Sequence, residues 1–121
     1  MKKMKIGIAS LEQQKRRTME IASGKRTRAR GEPRVWFTSL KSAAEVLDRN
    51  RELLRLIYEK HPDSIQELSA MTGRTPGNLS RSIKRLEACG IVEVQRIGRK
   101  KRPIAKTCEF EIEMNCASEQ R

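Results

Sequence analysis

Gly73 and Thr75 stand one residue apart, and the first is a helix stop while the second is a helix start. Gly73 is free to take the left-handed conformation that closes a helix. Thr75 is a good N-cap, and Pro76 behind it occupies the first helical position, where its missing N–H costs nothing. Two helices joined this way form a helix-turn-helix pair rather than one rod. Upstream, Ser64-Ile65-Gln66-Glu67 is a capping box, opening a helix expected to bury Ile65, Leu68 and Met71. Downstream, the helix runs to Cys89, with Leu79, Ile83 and Leu86 spaced four and three apart on one narrow arc. Gly90 ends it.

The segments on either side extend this pair. Residues 5–9 (KIGIA) alternate and predict a short strand. Ser10 caps a helix over residues 11–23, closed by Gly24, whose Leu11, Met19, Ile21 and Ala22 make a poor stripe. Residues 25–31 (KRTRARG) form a basic linker. Residues 34–37 predict a second short strand, whose Trp36 is expected in the core or at a dimer interface. Thr38 or Ser39 then caps a helix carrying Leu40, Ala43, Ala44, Val46 and Leu47. Asn50 is the expected cap of a helix over Arg51–Lys60, with Leu53, Leu54, Ile57 and Tyr58 on one face. His61-Pro62-Asp63 stops it. After Gly90, residues 91–97 predict a strand, 98–101 a turn and 102–106 a returning strand. Residues 109–114 alternate as a last strand.

Helix, capped helix, glycine turn, proline-started helix and two-stranded hairpin is the order of a winged helix-turn-helix. The expected fold class is therefore α+β, mainly helical, a winged helix-turn-helix with an N-terminal strand-helix extension. Residues 1–34 are read as a basic strand-helix arm and linker, 35–114 as the DNA-binding domain and 115–121 as a tail. In such a fold the second helix of the pair presents its N-terminal half to the major groove. Opposite Leu79, Ile83 and Leu86, the helix that Arg74 and Thr75 introduce carries Gly77, Asn78, Arg81, Lys84 and Arg85. Gly77 lets the helix approach closely. Asn78 suits adenine and Arg81 guanine, each through a bidentate pair. Ser80, Ser82, Lys84 and Arg85 suit phosphates, which fix register. An ordinary polar helix surface is the bland alternative, disfavoured because no acidic residue occurs between Arg74 and Arg85. Arg99-Lys100-Lys101-Arg102 marks the hairpin as a wing aimed at a minor groove or flanking phosphates.

Charge points the same way. The 121 residues fit one domain, and their net charge is +12. Residues 1–34 hold eleven basic and three acidic side chains, among them Lys25, Arg26, Arg28 and Arg30, a further candidate backbone contact. Such a balance calls for an anionic partner, and nucleic acid is the first candidate. Charge alone leaves RNA open, while the winged-helix order favours duplex DNA. No apolar run approaches the ~20 residues of a membrane helix. The apolar stretch near the N-terminus is too short for a signal peptide, so a cytoplasmic protein without a membrane partner is expected.

Catalysis is not expected. One histidine, His61, and three scattered cysteines, Cys89, Cys108 and Cys116, form neither a zinc site nor a disulfide framework. No nucleophile and base converge, so no enzyme, metal or cofactor is inferred. Cys89 reads as a small packed residue, and His61 as a loop residue. A protein that silences a partner through Glu109, Glu111 and Glu113 is a reading from another class.

Residues 34–114 resemble a family of small bacterial and archaeal winged-helix transcriptional regulators, loosely MarR-like and often encoded as antitoxins beside a toxin gene. The matching stretches are Phe37-Thr38-Ser39 with Val46-Leu47, Arg51-Glu52-Leu53-Leu54, Ser64-Ile65-Gln66-Glu67-Leu68 and Gly73-Arg74. They continue with residues 78–87 (NLSRSIKRLE), Gly90-Ile91-Val92 and the last strand. The resemblance implies a homodimeric repressor of its own operon, with a cognate toxin as a candidate partner. A ligand-responsive MarR-like regulator, or an RNA- or partner-binding protein, is the alternative. The short strands near residues 5–9, 35–37 and 110–114 are the expected dimer glue.

Overall fold

Helix starts in this chain are set by side-chain oxygens that meet orphan backbone N–H groups. The computed structural model describes residues 3–24 and 33–116. In α1 (Leu11–Ala22), Ser10 Oγ accepts from the Gln13 N–H while Gln13 Oε1 accepts from the Ser10 N–H. In α2 (Leu40–Leu47), Ser39 Oγ accepts from the Ser42 N–H at 3.0 Å. In α4 (Ile65–Thr72), Ser64 Oγ accepts from the Glu67 N–H at 3.1 Å, and Glu67 reaches past Ser64 to the Asp63 N–H at 3.3 Å. Thr75 Oγ1 accepts from the Asn78 N–H to open α5 (Pro76–Ala88).

The helix α3 (Arg51–Lys60) departs from the expectation. Asn50 makes no cap bond to it. Its buried Nδ2 donates to Val46 O at 2.7 Å, closing α2 instead of opening α3. His61 ends α3 with φ +50°, a left-handed position held by a residue other than glycine.

The contacts divide the chain into two units. The first covers Glu45–Cys108. Its core is Leu53, Leu54 and Ile57 of α3, Ile65 and Leu68 of α4, and Leu79, Ile83 and Leu86 of α5. Met71, expected inside, is 40% exposed, one turn past Leu68 and off the buried arc. After α5 the chain turns at Gly90 and forms an antiparallel hairpin of β3 (Val92–Ile97) and β4 (Lys100–Ala105). Ile91, Val92, Pro103 and Ala105 bury its base.

The second unit joins Lys2–Ala44 to Glu109–Arg121. Its sheet has the order β2-β1-β5, with β1 (Met4–Ile8) central and parallel to both β2 (Val35–Phe37) and β5 (Phe110–Met114). The contacts divide between Ala44 and Glu45, and β1 pairs with β2 and β5. Strands this short need partners, and the three expected to glue a dimer pair with one another inside one chain. Ile6, Ile8 and Phe37 form the buried part of one sheet face.

On the other face Gly7 pairs in register with Trp36. A Cβ at Gly7 would lie 2.5 Å from two ring carbons of Trp36, so the bare strand is the seat of the indole. The Arg17 guanidinium sits 5.2 Å from the ring centroid, a cation–π distance. Gly7→Val should therefore unseat the ring at a cost of about 1–3 kcal/mol. Trp36 is the one tryptophan, so its fluorescence should shift to the red and melt earlier. An unchanged emission spectrum would show that the ring does not depend on Gly7.

Candidate nucleic-acid interface

The turn between α4 and α5 is fixed by three local bonds. Gly73, at φ +75°, donates its N–H to Ser69 O. The Ser69 hydroxyl donates to Arg74 O at 2.6 Å, and the Arg74 N–H donates to Thr72 Oγ1 at 3.2 Å. The start of α5 is thus held from α4 before any ligand arrives. Leu79, Ile83 and Leu86 bury one stripe of α5 almost completely. Helical periodicity then sends Gly77, Arg81, Lys84 and Arg85 outward, and all four are exposed. The ion pairs described in this unit lie elsewhere: Arg51–Asp48, Arg55 with Glu52 and Glu59, and Arg102–Asp63. Arg81, Lys84 and Arg85 stand on an open helix face, outside those pairs.

Arg74 does something the sequence did not announce. Its Nε donates to Asn78 Oδ1 at 2.7 Å and its Nη2 to Ser82 Oγ at 2.8 Å. The three residues stand four apart, one stripe of helix surface. Asn78 and Ser82 are consequently engaged on the flank of α5. The expected bidentate Asn78–adenine pair uses Oδ1 and Nδ2; Oδ1 accepts one bond from Arg74 and has a second lone pair for a base. Ser80 is half-buried on the opposite flank, and Thr75 is spent on the cap. The spacing of Arg74, Asn78 and Ser82 is the signal that could have revealed the brace.

The hairpin differs from its sequence reading in length. Gly98 and Arg99 alone make the turn, with Gly98 at φ +61°, the first-position glycine that type II′ hairpins require. Lys100 and Lys101 lie on β4, opposite Ile97 and Arg96. Arg99, Lys100 and Lys101 are exposed together at the tip, beside Arg96 and a 48% exposed Ile97. Arg102 does not belong to that tip. It is opposite Gln95, half-buried, and its Nη2 lies 3.2 Å from Asp63 Oδ1 in the loop before α4. It ties the hairpin to the helix pair. Lys25, Arg26, Arg28 and Arg30 lie outside the described residues.

Cysteine chemistry is quiet here. Burial pushes the Cys89 thiol up, against a smaller opposing effect of Arg85. Burial also raises Cys108, whose Sγ–H donates to Leu54 O at 3.3 Å. Cys116 is exposed. A short N-ethylmaleimide pulse at neutral pH should therefore label Cys116 well before Cys89 and Cys108. Peptide mapping reads the order, and early loss of Cys108 would contradict it. Among the described residues no group of three or more His, Cys, Asp or Glu could hold a metal ion. No described helix is long and apolar enough to cross a membrane.

The model of the HVO_A0114 family matches residues 45–112, more than half of the chain. That span takes in the whole helix–hairpin unit and the first part of β5. No curated protein and no solved structure matches.

Proposed function

We propose that this chain, which belongs to the HVO_A0114 family, is a sequence-specific, duplex-DNA-binding transcriptional regulator of winged helix-turn-helix type, acting as a homodimer that represses its own operon. The observation that carries the reading is the outer face of α5. Gly77, Arg81, Lys84 and Arg85 stand exposed on a helix whose start is locked by the Gly73–Thr75 turn. An element that reads a major groove needs that combination of fixed backbone and unspent cations. The tip cations Arg99, Lys100 and Lys101 supply a second, backbone-directed contact, and Ile97 beside them supplies an apolar surface for a minor groove. Arg81 is the base reader. Lys84, Arg85 and the tip cations hold phosphates. Arg74 positions Asn78, and Arg102 holds the hairpin in place.

Selection from a random duplex library gives the operator on which this is tested. Arg81→Ala should then lose about 1–3 kcal/mol on the selected site, relax preference at one base pair and leave scrambled-duplex binding nearly intact. Lys101→Ala should weaken both duplexes by similar factors and lower the salt slope by about one per protomer. An Arg81→Ala protein that keeps the wild-type ratio of specific to non-specific affinity would show that α5 is not the reading element.

A further inference from the structure

We propose that the open edge of β5 is a docking strand for an extended basic segment of a different protein. The Met4 N–H donates to Glu109 O at 3.0 Å. In a parallel ladder the bonding residues of a strand alternate. Glu109, Glu111 and Glu113 thus turn their main chain toward β1, and Phe110, Ile112 and Met114 turn theirs away. The order β2-β1-β5 leaves no described strand on that side. These five residues carry no lysine or proline and pair with β1 without a bulge; the only charges on the edge are Glu111 and Glu113. Ile112 and Met114, 47% and 53% exposed, lie on one face of the strand. Glu111 and Glu113 lie on the other, and Lys5 Nζ stands 3.4 Å from Glu113 Oε1.

Pairing parity selects the occupant. The outward residues of β5 are the even ones, so an antiparallel second copy sets even against even and odd against odd, and the registers that overlap the whole strand put glutamate across from glutamate, which is unfavourable. In a parallel pair a bonding residue stands across from a non-bonding one, as Met4 does from Phe110, so a parallel copy sets even against odd and puts each glutamate beside Phe110, Ile112 or Met114 with no cation to meet it. A segment with lysine or arginine at alternate positions and apolar residues between them meets each demand. Its main chain bonds Phe110, Ile112 and Met114, its cations face Glu111 and Glu113, and its apolar side chains cover Ile112 and Met114. In a chain of net charge +12 this is a local acidic strip, which draws such a segment against the overall repulsion. The inference is independent of the DNA reading, which rests on residues of Glu45–Cys108.

The probe is a blocked eight-residue peptide alternating lysine with isoleucine or valine, titrated into the isotope-labelled full chain. Its control carries glutamate for lysine. The lysine peptide should shift amides concentrated at residues 109–115 and slow exchange at Ile112 and Met114, while the control does neither. Ile112→Pro removes an outward donor that the ladder to β1 does not use, and should weaken binding about tenfold. Glu111→Lys should weaken it about fivefold. Trp36 emission checks that each variant keeps its sheet, and Glu111→Lys decides if Ile112→Pro does not. No binding, equal binding of both peptides, or wild-type affinity in the folded variants overturns the proposal. So does self-association that Ile112→Pro abolishes, which would give the edge to a second copy.

Discussion

Affinity for the selected duplex is expected to fall by about 10³-fold or more as salt rises from roughly 50 to 200 mM, because each neutralised phosphate releases counterions. The cations available for this are Lys84 and Arg85 on α5 and Arg99, Lys100 and Lys101 at the hairpin tip, all exposed. Three phosphate contacts per protomer give a dimer a log–log slope of about −5.4, at roughly −0.9 per contact. The basic residues Lys25, Arg26, Arg28 and Arg30 add to it if they reach DNA. Truncation cannot test that contribution, since residues 1–31 include β1, the central strand of the sheet. The informative variant replaces the four cations by glutamine and keeps the strand. Its slope should be shallower than the wild type's. A fluorescence-anisotropy slope near −2 for the wild-type chain would leave too few contacts for the proposed interface.

Leu79→Ala is expected to cost about 2–5 kcal/mol of stability. Leu79 is completely buried, and with Ile83 and Leu86 it forms the stripe through which α5 meets the core of the Glu45–Cys108 unit. For a unit of this size each kcal/mol moves the midpoint by about 4–8 °C, so a fall on the order of 10 °C or more is anticipated in far-UV circular dichroism. Arg81→Ala, on the solvent side of the same helix, should stay within about 0.5 kcal/mol of wild type. Equal melting of the two variants would mean that the stripe is not what holds α5. The pair also separates loss of DNA binding by unfolding from loss by missing contacts.

The sequence disclosed what is local. Ser10, Ser64 and Thr75 announce helix starts because a cap and the N–H it meets are three residues apart. The period of Leu79, Ile83 and Leu86 likewise fixes which side of α5 faces outward, so Arg81, Lys84 and Arg85 were legible before any fold. Asn50 was not, because it stands between two helix ends and can serve either. Arg102 looked like part of a charged turn because nothing in the linear order brings Asp63 to it. The hairpin turn is shorter than its charge run suggests because Gly98 alone supplies the backbone conformation a two-residue turn needs. The sheet was least legible. Its strands were recognisable, but their pairing depends on partners far along the chain.

That arrangement of β1 has a consequence for synthesis. Ile6 pairs with Ile112, about a hundred residues later. On the ribosome β1 emerges about a hundred residues before β5 and waits, with the three residues of β2 as its other partner among the described strands, until β5 has cleared the exit tunnel. Contacts between such distant residues form late and slowly. The helices and hairpin of residues 45–108 are contiguous in the chain, so their local contacts can form while translation is still under way. A chain released early, after Cys108, would carry the basic face of α5 with its sheet unfinished and Met4–Ile8 exposed on one side. Completion of the second unit is thus a record, written into the topology, that translation reached Met114.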